Sequence, residues 1–305
     1  MEHMVVTEGL ISIAEYDLNG HSFLVVRRDG TSRRATHYRL DGGLYLALSG
    51  HRATAADFLP GLLARLEKVS PPEAAHSVRY RTPFLPVDVT YGMVSGFGLA
   101  HRNKVPTGTL DASGRATGYP SWFFKGFAHA LKTDGEPLRV SKVAHVVCEE
   151  AEIVLVYHVG SEGHPVYLGF TFGNDMTDIG QIRNNSLHMP YGKLSDSAIH
   201  HFLFLDEPPE RADGRVRIAR QGETVWIGHV TNGCAMLAYE VRDMMSKLWI
   251  HHSLLVPGMV HYVYIGADRN STDHGFLMRN GDVIDINFDA FGVHLSNPIV
   301  LGEGA

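Results

Sequence analysis

From Val143 to Val159 the chain is almost unbroken apolar and β-branched residues, with acids set at the centre of the run. A stretch this apolar has to be buried, and its β-branched content predicts one long strand. Side chains alternate along a strand, so Glu150 and Glu152 are expected on one face. Two carboxylates a pleat apart repel each other and destabilise a fold that buries them without partners. Two arrangements satisfy the pattern. Either that face meets water and the pair is polar surface, or the pair holds a divalent cation.

The segment 166–174 is the expected partner strand, and it ends in Asn174-Asp175, with Thr177 and Asp178 placed to cap the next element. If Asp175 joins Glu150 and Glu152, the three carboxylates make a hard oxygen site that suits Mg²⁺, Mn²⁺ or Ca²⁺ rather than zinc. Such a shell leaves positions for waters and for a bidentate substrate. Lys193 comes 18 residues after Asp175. It is either surface charge or, beside a metal-bound 2-oxo acid, a group that stabilises an enolate or moves a proton.

Around this centre the chain reads as strands and turns. The first seventy residues form a small β-rich unit with a hairpin at Asn19-Gly20. A short helix capped by Thr54 carries Phe58, Leu62 and Leu66 on one face, and Ser70-Pro71-Pro72 closes it. Residues 84–122 hold Gly92, Gly96 and Gly98, whose spacing does not match GxGxxG; they are expected to shape a loop over the site, with 92–104 as a lid. Asp213-Gly214 and Gln221-Gly222 punctuate a hairpin around Val216 to Ile227. Leu237, Val241, Met244 and Leu248 predict one face of a helix over 235–250, and strands are expected at 260–266 and 282–288.

Composition removes several classes of function. Lys and Arg number 27 against 33 Asp and Glu, a net charge of −6, which does not suit a nucleic-acid binder. Arg27, Arg28, Arg33 and Arg34 cluster about the Asp29-Gly30 turn and read as two solvated strands. Two cysteines, Cys148 and Cys234, leave no disulfide framework and suggest a reducing compartment. The start lacks the pattern of a signal peptide, and no apolar run reaches the ~18 residues of a membrane span, so a cytoplasmic protein with no membrane partner is expected. The 19 histidines include the adjacent pairs His200-His201 and His251-His252, which cannot face one metal from a regular element, and no HExxH is present.

Taken in order, the Glu-x-Glu strand, the Gly169 to Asp175 strand end and Lys193 resemble the fumarylacetoacetate hydrolase superfamily. Trp122-Phe-Phe-Lys125 resembles that superfamily's F-x-K strand. Gly281-Asp-Val-Ile-Asp-Ile-Asn-Phe-Asp-Ala-Phe-Gly-Val-His-Leu-Ser-Asn-Pro298 is similar to its closing segment. Gly96-Phe-Gly98-Leu-Ala-His101, Ser121 to Gly126 and Gly173-Asn-Asp are closest to its sugar-acid subgroup, the 2-keto-3-deoxy-arabinonate dehydratases. The resemblance spans roughly 90–298 and implies a β-rich α+β fold. In that fold a mixed β-sandwich or β-roll catalytic domain, 84–305, comes after a small N-terminal β-rich domain, 1–83, in a homodimer. It implies Glu150, Glu152 and Asp175 as ligands of Mg²⁺ (or Mn²⁺ or Ca²⁺), Lys193 as the active-site lysine and His101 as acid or base. Lys125, Phe127, Asn174, Gly266 and Ala267 would contact a small 2-oxo acid. It implies a dehydratase of a 2-keto-3-deoxy acid working through a metal-stabilised enolate, with a C–C hydrolase of an acylpyruvate, or a non-catalytic ligand-binding relative, as alternatives. Two departures bear on the substrate: Tyr264-Ile-Gly-Ala-Asp268 lacks the superfamily's threonine, and Phe127-Ala128 stands where a polar residue is usual.

Overall fold

A computed structural model describes residues 9–29, 35–40, 42–48, 53–72, 78–105, 108, 110–144 and 146–302. The fold is rich in strands with few helices. The N-terminal unit contributes β1 (Ser12–Leu18), β2 (His21–Arg27) and β3 (Ala35–Arg39), helices α1 (Gly43–Leu48) and α2 (Ala55–Leu63), and the short β4 (Lys68–Val69) and β5 (Arg79–Tyr80). The middle of the chain supplies β6 (Gly92–Gly98), β7 (Ser121–Phe127), β8 (Leu131–Lys132), β9 (Leu138–Val140), β10 (Val147–Cys148), β11 (Ala151–Val159), β12 (Pro165–Asn174) and β13 (Thr177–Asp178). Helices α3 (Ile179–Asn184) and α4 (Met189–Gly192) come next, then β14 (Ser197–Ile199), β15 (Leu203–Phe204), β16 (Ala212–Arg220) and β17 (Glu223–Asn232). The chain ends with α5 (Val241–Trp249), β18 (Val260–Tyr264), β19 (Val283–Phe288) and β20 (Val293–Leu301).

One large sheet runs in the order β4-β3-β2-β1-β15-β12-β11-β18-β6-β7, and a second runs β17-β16-β19-β20-β9. Strand β11 accounts for the long apolar run. Its Ile153 and Leu155 enter the core between the two sheets, with Phe172, Val216, Ile284 and Ile286. Its Val154 and Val156 face the other way, onto a core closed by Leu44, Leu59 and Leu62 of the two N-terminal helices. Both faces are covered, so no position on the strand is free to be polar except at its end. The N-terminal unit joins the same sheet, because β1 pairs with β15 at Ser12 and Phe204.

Several elements differ from the sequence expectations, each for a local reason. The expected strand 143–159 is broken: β10 pairs with β13, whereas β11 pairs with β12 and β18, so the chain changes partners at Glu149-Glu150. Residues 92–98 are not a loop or lid but a central strand, parallel to β18 and antiparallel to β7. Glycine is needed there for close approach: a Cβ on Gly96 would stand 2.6 Å from the Phe123 ring and 3.0 Å from Tyr264 Cβ. Asp213-Gly214 lies inside β16 rather than at a turn, while Gln221-Gly222 does turn the hairpin. Leu66 and Leu237 fall outside their helices, and β20 was not anticipated. Thr54 caps α2 as expected, accepting from the Asp57 amide. Of the arginine cluster, Arg33, Arg34 and Gly30 lie outside the described residues; Arg27 is not solvated but stacks 3.6 Å over the Phe202 ring.

The histidines predict an acid-labile fold. His37, His158, His200, His201 and His261 are all held below the ordinary imidazole range. Burial pushes His200 down to about 3, helped by Arg27, and His261 down to about 4. The unfolded chain therefore takes up protons below about pH 6.5 that the fold refuses, and stability falls with pH. Buried glutamates oppose this, since burial raises Glu15 and Glu149 to about 7 and Glu152 well above its usual value. Below about pH 4.5 these acids are protonated in both states, and carboxyls held below their usual range, among them Asp175, Asp273 and Asp282, add to the loss as the unfolded chain takes up their protons first. Urea melts should show a shallow decline from pH 6.5 to 4.5 and a steeper one below, roughly 1.4 kcal/mol per pH unit for each unmatched proton. Constant stability between pH 6.5 and 4 would contradict this burial.

Candidate metal centre

The three acids singled out in the sequence meet at the ends of β11 and β12. The pairing of Ala151 with Asn174 and Glu152 with Gly173 sets Glu152 beside the strand end that carries Asp175. The Asp175 amide donates to the Glu150 carbonyl at 2.9 Å, and the Glu150 amide donates to Asn174 Oδ1 at 3.0 Å, which locks the break in the strand. Glu150 and Glu152 keep the same side across that break. One carboxylate oxygen from each of Glu150, Glu152 and Asp175 lies within 4.8 Å of the others. Opposite corners of an octahedron with oxygens at ~2.1 Å stand about 4.2 Å apart, and Mn²⁺ or Ca²⁺ tolerates slightly more, so small side-chain adjustments suffice to enclose one ion. The donors are all hard oxygens, which fits a group 2 or manganese cation.

Two lysines hold this cluster. Lys193 Nζ, 18 residues after Asp175, donates to Glu150 Oε2 and Asp175 Oδ2 at 2.5 Å each and to Thr177 Oγ1 at 2.8 Å. It also sits 4.5 Å from the Phe123 ring centroid. Thr177 in turn donates to Glu150 Oε2 at 2.9 Å. Lys125 lies on the far side, its side chain wholly buried, 2.7 Å from Asp175 Oδ1. Its ammonium also donates to the carbonyls of Met176 and Lys193 and to Ser195 Oγ. Glu152 Oε2 accepts from the Gly266 amide at 2.7 Å.

The electrostatics put a proton on Glu152. Burial pulls the Lys193 ammonium down, but Asp175, Glu150 and Glu152 outweigh it and hold the proton firmly. Burial pushes Asp175 up, yet the flanking Lys125 and Lys193 keep it ionised. Glu152 is raised well above the carboxylate range, first by burial and then by repulsion from Asp175 and Glu150. With the Glu152 proton in place, Glu150 and Asp175 balance the two ammoniums. A divalent cation would displace that proton, and the three carboxylates with two ammoniums would then hold it at a net charge that one substrate carboxylate neutralises.

A cavity of about 350 Å³ opens on this cluster. Glu150, Glu152, Thr177, Lys193, Gly266 and Ala267 form its inner wall. A slightly larger cavity of about 380 Å³, beside Trp122 and His251, carries no carboxylate, so chemistry rather than size picks out the site. The substrate contacts expected at Gly266 and Ala267 thus lie where a ligand can reach them. Three others do not. Lys125 is behind the carboxylates and acts on Asp175. Asn174 is buried and holds the Glu150 backbone. Phe127 lies at the far end of β7 from Ser121, the residue of that strand that reaches the cavity. His101 is buried beside the site without lining it. Its ring nitrogens face Asn103 Oδ1 at 2.8 Å and the Thr231 carbonyl at 3.1 Å, so a role as acid or base requires one contact to break.

Sequence reasoning missed Glu149, whose carboxylate takes the Ser271 amide and hydroxyl at 2.8 and 2.7 Å and pins the segment carrying Gly266 and Ala267. It also missed Lys104, Arg183 and Asp273 in the outer wall. For Arg183 a weak signal existed, since it shares the short helix α3 with Ile179 and Ile182.

No protein-family model and no curated protein matches the sequence. Solved structures do match in fold. The complex of 2-keto-3-deoxy-D-arabinonate dehydratase with magnesium and 2,5-dioxopentanoate superposes with a TM-score of 0.71 at 17% identity, over 95% of this chain and 99% of that one. The 2-hydroxyhepta-2,4-diene-1,7-dioate isomerase from Mycobacterium marinum gives 0.61 at 16% identity, over 96% and 100%. The 5-carboxymethyl-2-hydroxymuconate delta-isomerase from Mycobacterium smegmatis gives 0.60 at 16% identity, over 95% and 99%. At these identities the likeness is one of fold, and it agrees with the β-rich fold expected from the sequence.

Proposed function

We propose that this chain is a divalent-metal-dependent enzyme that takes a small 2-oxo carboxylate through an enolate, and that the reaction is loss of water from a 2-keto-3-deoxy acid. The observation that carries the reading is the convergence of Glu150, Glu152 and Asp175, with Glu150, Glu152 and Lys193 lining a cavity and Asp175 buried behind them. The fold shared with a magnesium-bound dehydratase supports it. The reading includes the architecture the resemblance implies, with a 1–83 N-terminal domain, an 84–305 catalytic domain and a homodimer.

A bound cation would supply Lewis acidity, drawing electron density from the carboxylate and keto oxygens of the substrate. The chain's own groups do the rest. Lys125 fixes Asp175, the Gly266 amide fixes Glu152, and Asn174 fixes the backbone of Glu150, so the three carboxylates are positioned before a ligand arrives. Lys193 Nζ stays protonated and faces the cavity, where it offsets negative charge developing on the keto oxygen. Phe123 shields the ammonium and keeps its field strong.

No described helix is long and apolar enough to cross a membrane. The test is incubation with Mg²⁺ and a panel of 2-keto-3-deoxy acids and acylpyruvates. Appearance of a semialdehyde identifies the dehydratase. Loss of the diketone ultraviolet band identifies a C–C hydrolase instead, and no turnover with any of them would overturn the enzymatic reading.

A further inference from the structure

The cavity of about 380 Å³ beside Trp122 plays no part in the chemistry of the metal centre. Its size suits a small ligand. Tyr119 and Pro120, just before β7, and Trp122 at the start of that strand form one part of its wall. Lys247 and Leu248, in the last turn of α5, form another. Phe97 of β6 lines both this cavity and the metal cavity, so the two are neighbours.

The wall is aromatic, and its strongest polar groups are donors. Tyr119 is 70% exposed and Trp122 is half-buried. Lys247 Nζ donates to the Gly118 carbonyl and lies 5.5 Å from the Tyr119 ring centroid. Although half-buried, it makes no ion pair among the described residues, not even with Asp243 one turn earlier on α5. Trp122 Nε1 is shielded from solvent and has no hydrogen-bond acceptor. A buried indole N–H ordinarily finds one. No Asp or Glu among the described residues lines the cavity. Flat apolar walls favour a ring, and an ammonium without a counter-charge favours an anion.

We propose that this cavity is a binding site for a small aromatic carboxylate, separate from the metal centre. The ring of the ligand lies against Tyr119 and Trp122. Its carboxylate accepts from Lys247, which keeps two donors after the Gly118 carbonyl has taken one. A polyhydroxylated acid is excluded by the same wall, because its hydroxyls would face Phe97, Trp122 and Leu248 and lose hydrogen bonds to water without replacement. The inference goes beyond the metal-dependent reaction and stands whether or not a cation binds at Glu150, Glu152 and Asp175.

The test is calorimetric binding of two probes of one shape, 3-phenylpropanoate and its neutral amide 3-phenylpropanamide. EDTA is present, so that no cation draws the acid to the metal centre. The wild type should bind the acid about tenfold more tightly than the amide, as one charge-assisted hydrogen bond allows. Lys247→Gln should remove that preference and leave the amide unchanged, and Lys247→Arg should keep it. Ser253 lines the cavity from an exposed position, so Ser253→Trp should fill the space and abolish binding of both probes. The buried face of α5 is Met244, Met245 and Leu248, which these variants leave intact, and each should melt as the wild type does. Equal binding of acid and amide, a preference that survives Lys247→Gln, or undiminished binding in Ser253→Trp would overturn the assignment. So would a wild type that binds neither probe; if it then elutes as an oligomer that Ser253→Trp takes apart, a second copy of the chain fills the cavity instead.

Discussion

Glu152→Gln should abolish Mg²⁺-dependent turnover, by a factor of at least about 10³, without loss of the fold. The size reflects the contribution of a bound cation: several kcal/mol of transition-state stabilisation, each 1.4 kcal/mol being a factor of ten. The fold survives because of the surroundings of the side chain. Glu152 is buried against Glu150 and Asp175, and both push its proton affinity up. A neutral amide of the same shape removes that repulsion and still offers an oxygen to the Gly266 amide. The metal-free variant should therefore melt at the wild-type temperature or above it, while the rise in Tm that Mg²⁺ gives the wild type should vanish. Normal turnover with an intact Mg²⁺ response in this variant would remove Glu152 from the ligand set.

The largest effect on stability is expected at Lys125. Lys125→Met keeps the volume of the stem but leaves Asp175 with half its compensation in a buried site. Removing one partner of a buried ion pair costs about 3–5 kcal/mol, because the other charge remains. For a chain of this length that is a fall in Tm of roughly ten degrees. Adding Asp175→Asn in the same chain removes the stranded charge, so the double variant should regain much of the lost stability while remaining inactive. A single variant as stable as the wild type would mean that Asp175 is not held by Lys125, and the account of a prearranged ligand set would lose its support.

The two lysines illustrate the reach of the sequence and its limit. Lys193 was legible because its spacing from Asp175 fell into a recognisable order, and the structure brings its ammonium to both Glu150 and Asp175. Lys125 was legible as a residue of interest, but not its role, since only the tertiary fold shows that it approaches Asp175 from behind rather than from the cavity. Asn174 was misplaced in the same way. Phe127 was expected at the substrate because of a neighbouring motif, yet β7 carries it to the wrong end of the strand.

Glycine misled the reading of 92–98. Its usual meaning is a turn, but here Gly96 makes room for Phe123 and Tyr264 inside a sheet, a packing constraint that no local pattern displays. The break at Glu149-Glu150 was hidden for a related reason. The residues on both sides favour strands, and only the change of partner from β13 to β12 and β18 separates them. By contrast the Gln221-Gly222 hairpin, the Thr54 cap and the shared side of Glu150 and Glu152 rest on local geometry, and each was readable from the sequence.

The central claim is that one divalent cation sits among Glu150, Glu152 and Asp175. Crystals soaked in Mn²⁺ and measured at an anomalous wavelength test it most directly. The account predicts a single strong anomalous peak per chain within coordination distance of all three carboxylates, and its loss in Glu152→Gln. A peak at another site, or none at a Mn²⁺ concentration that supports turnover, would contradict it.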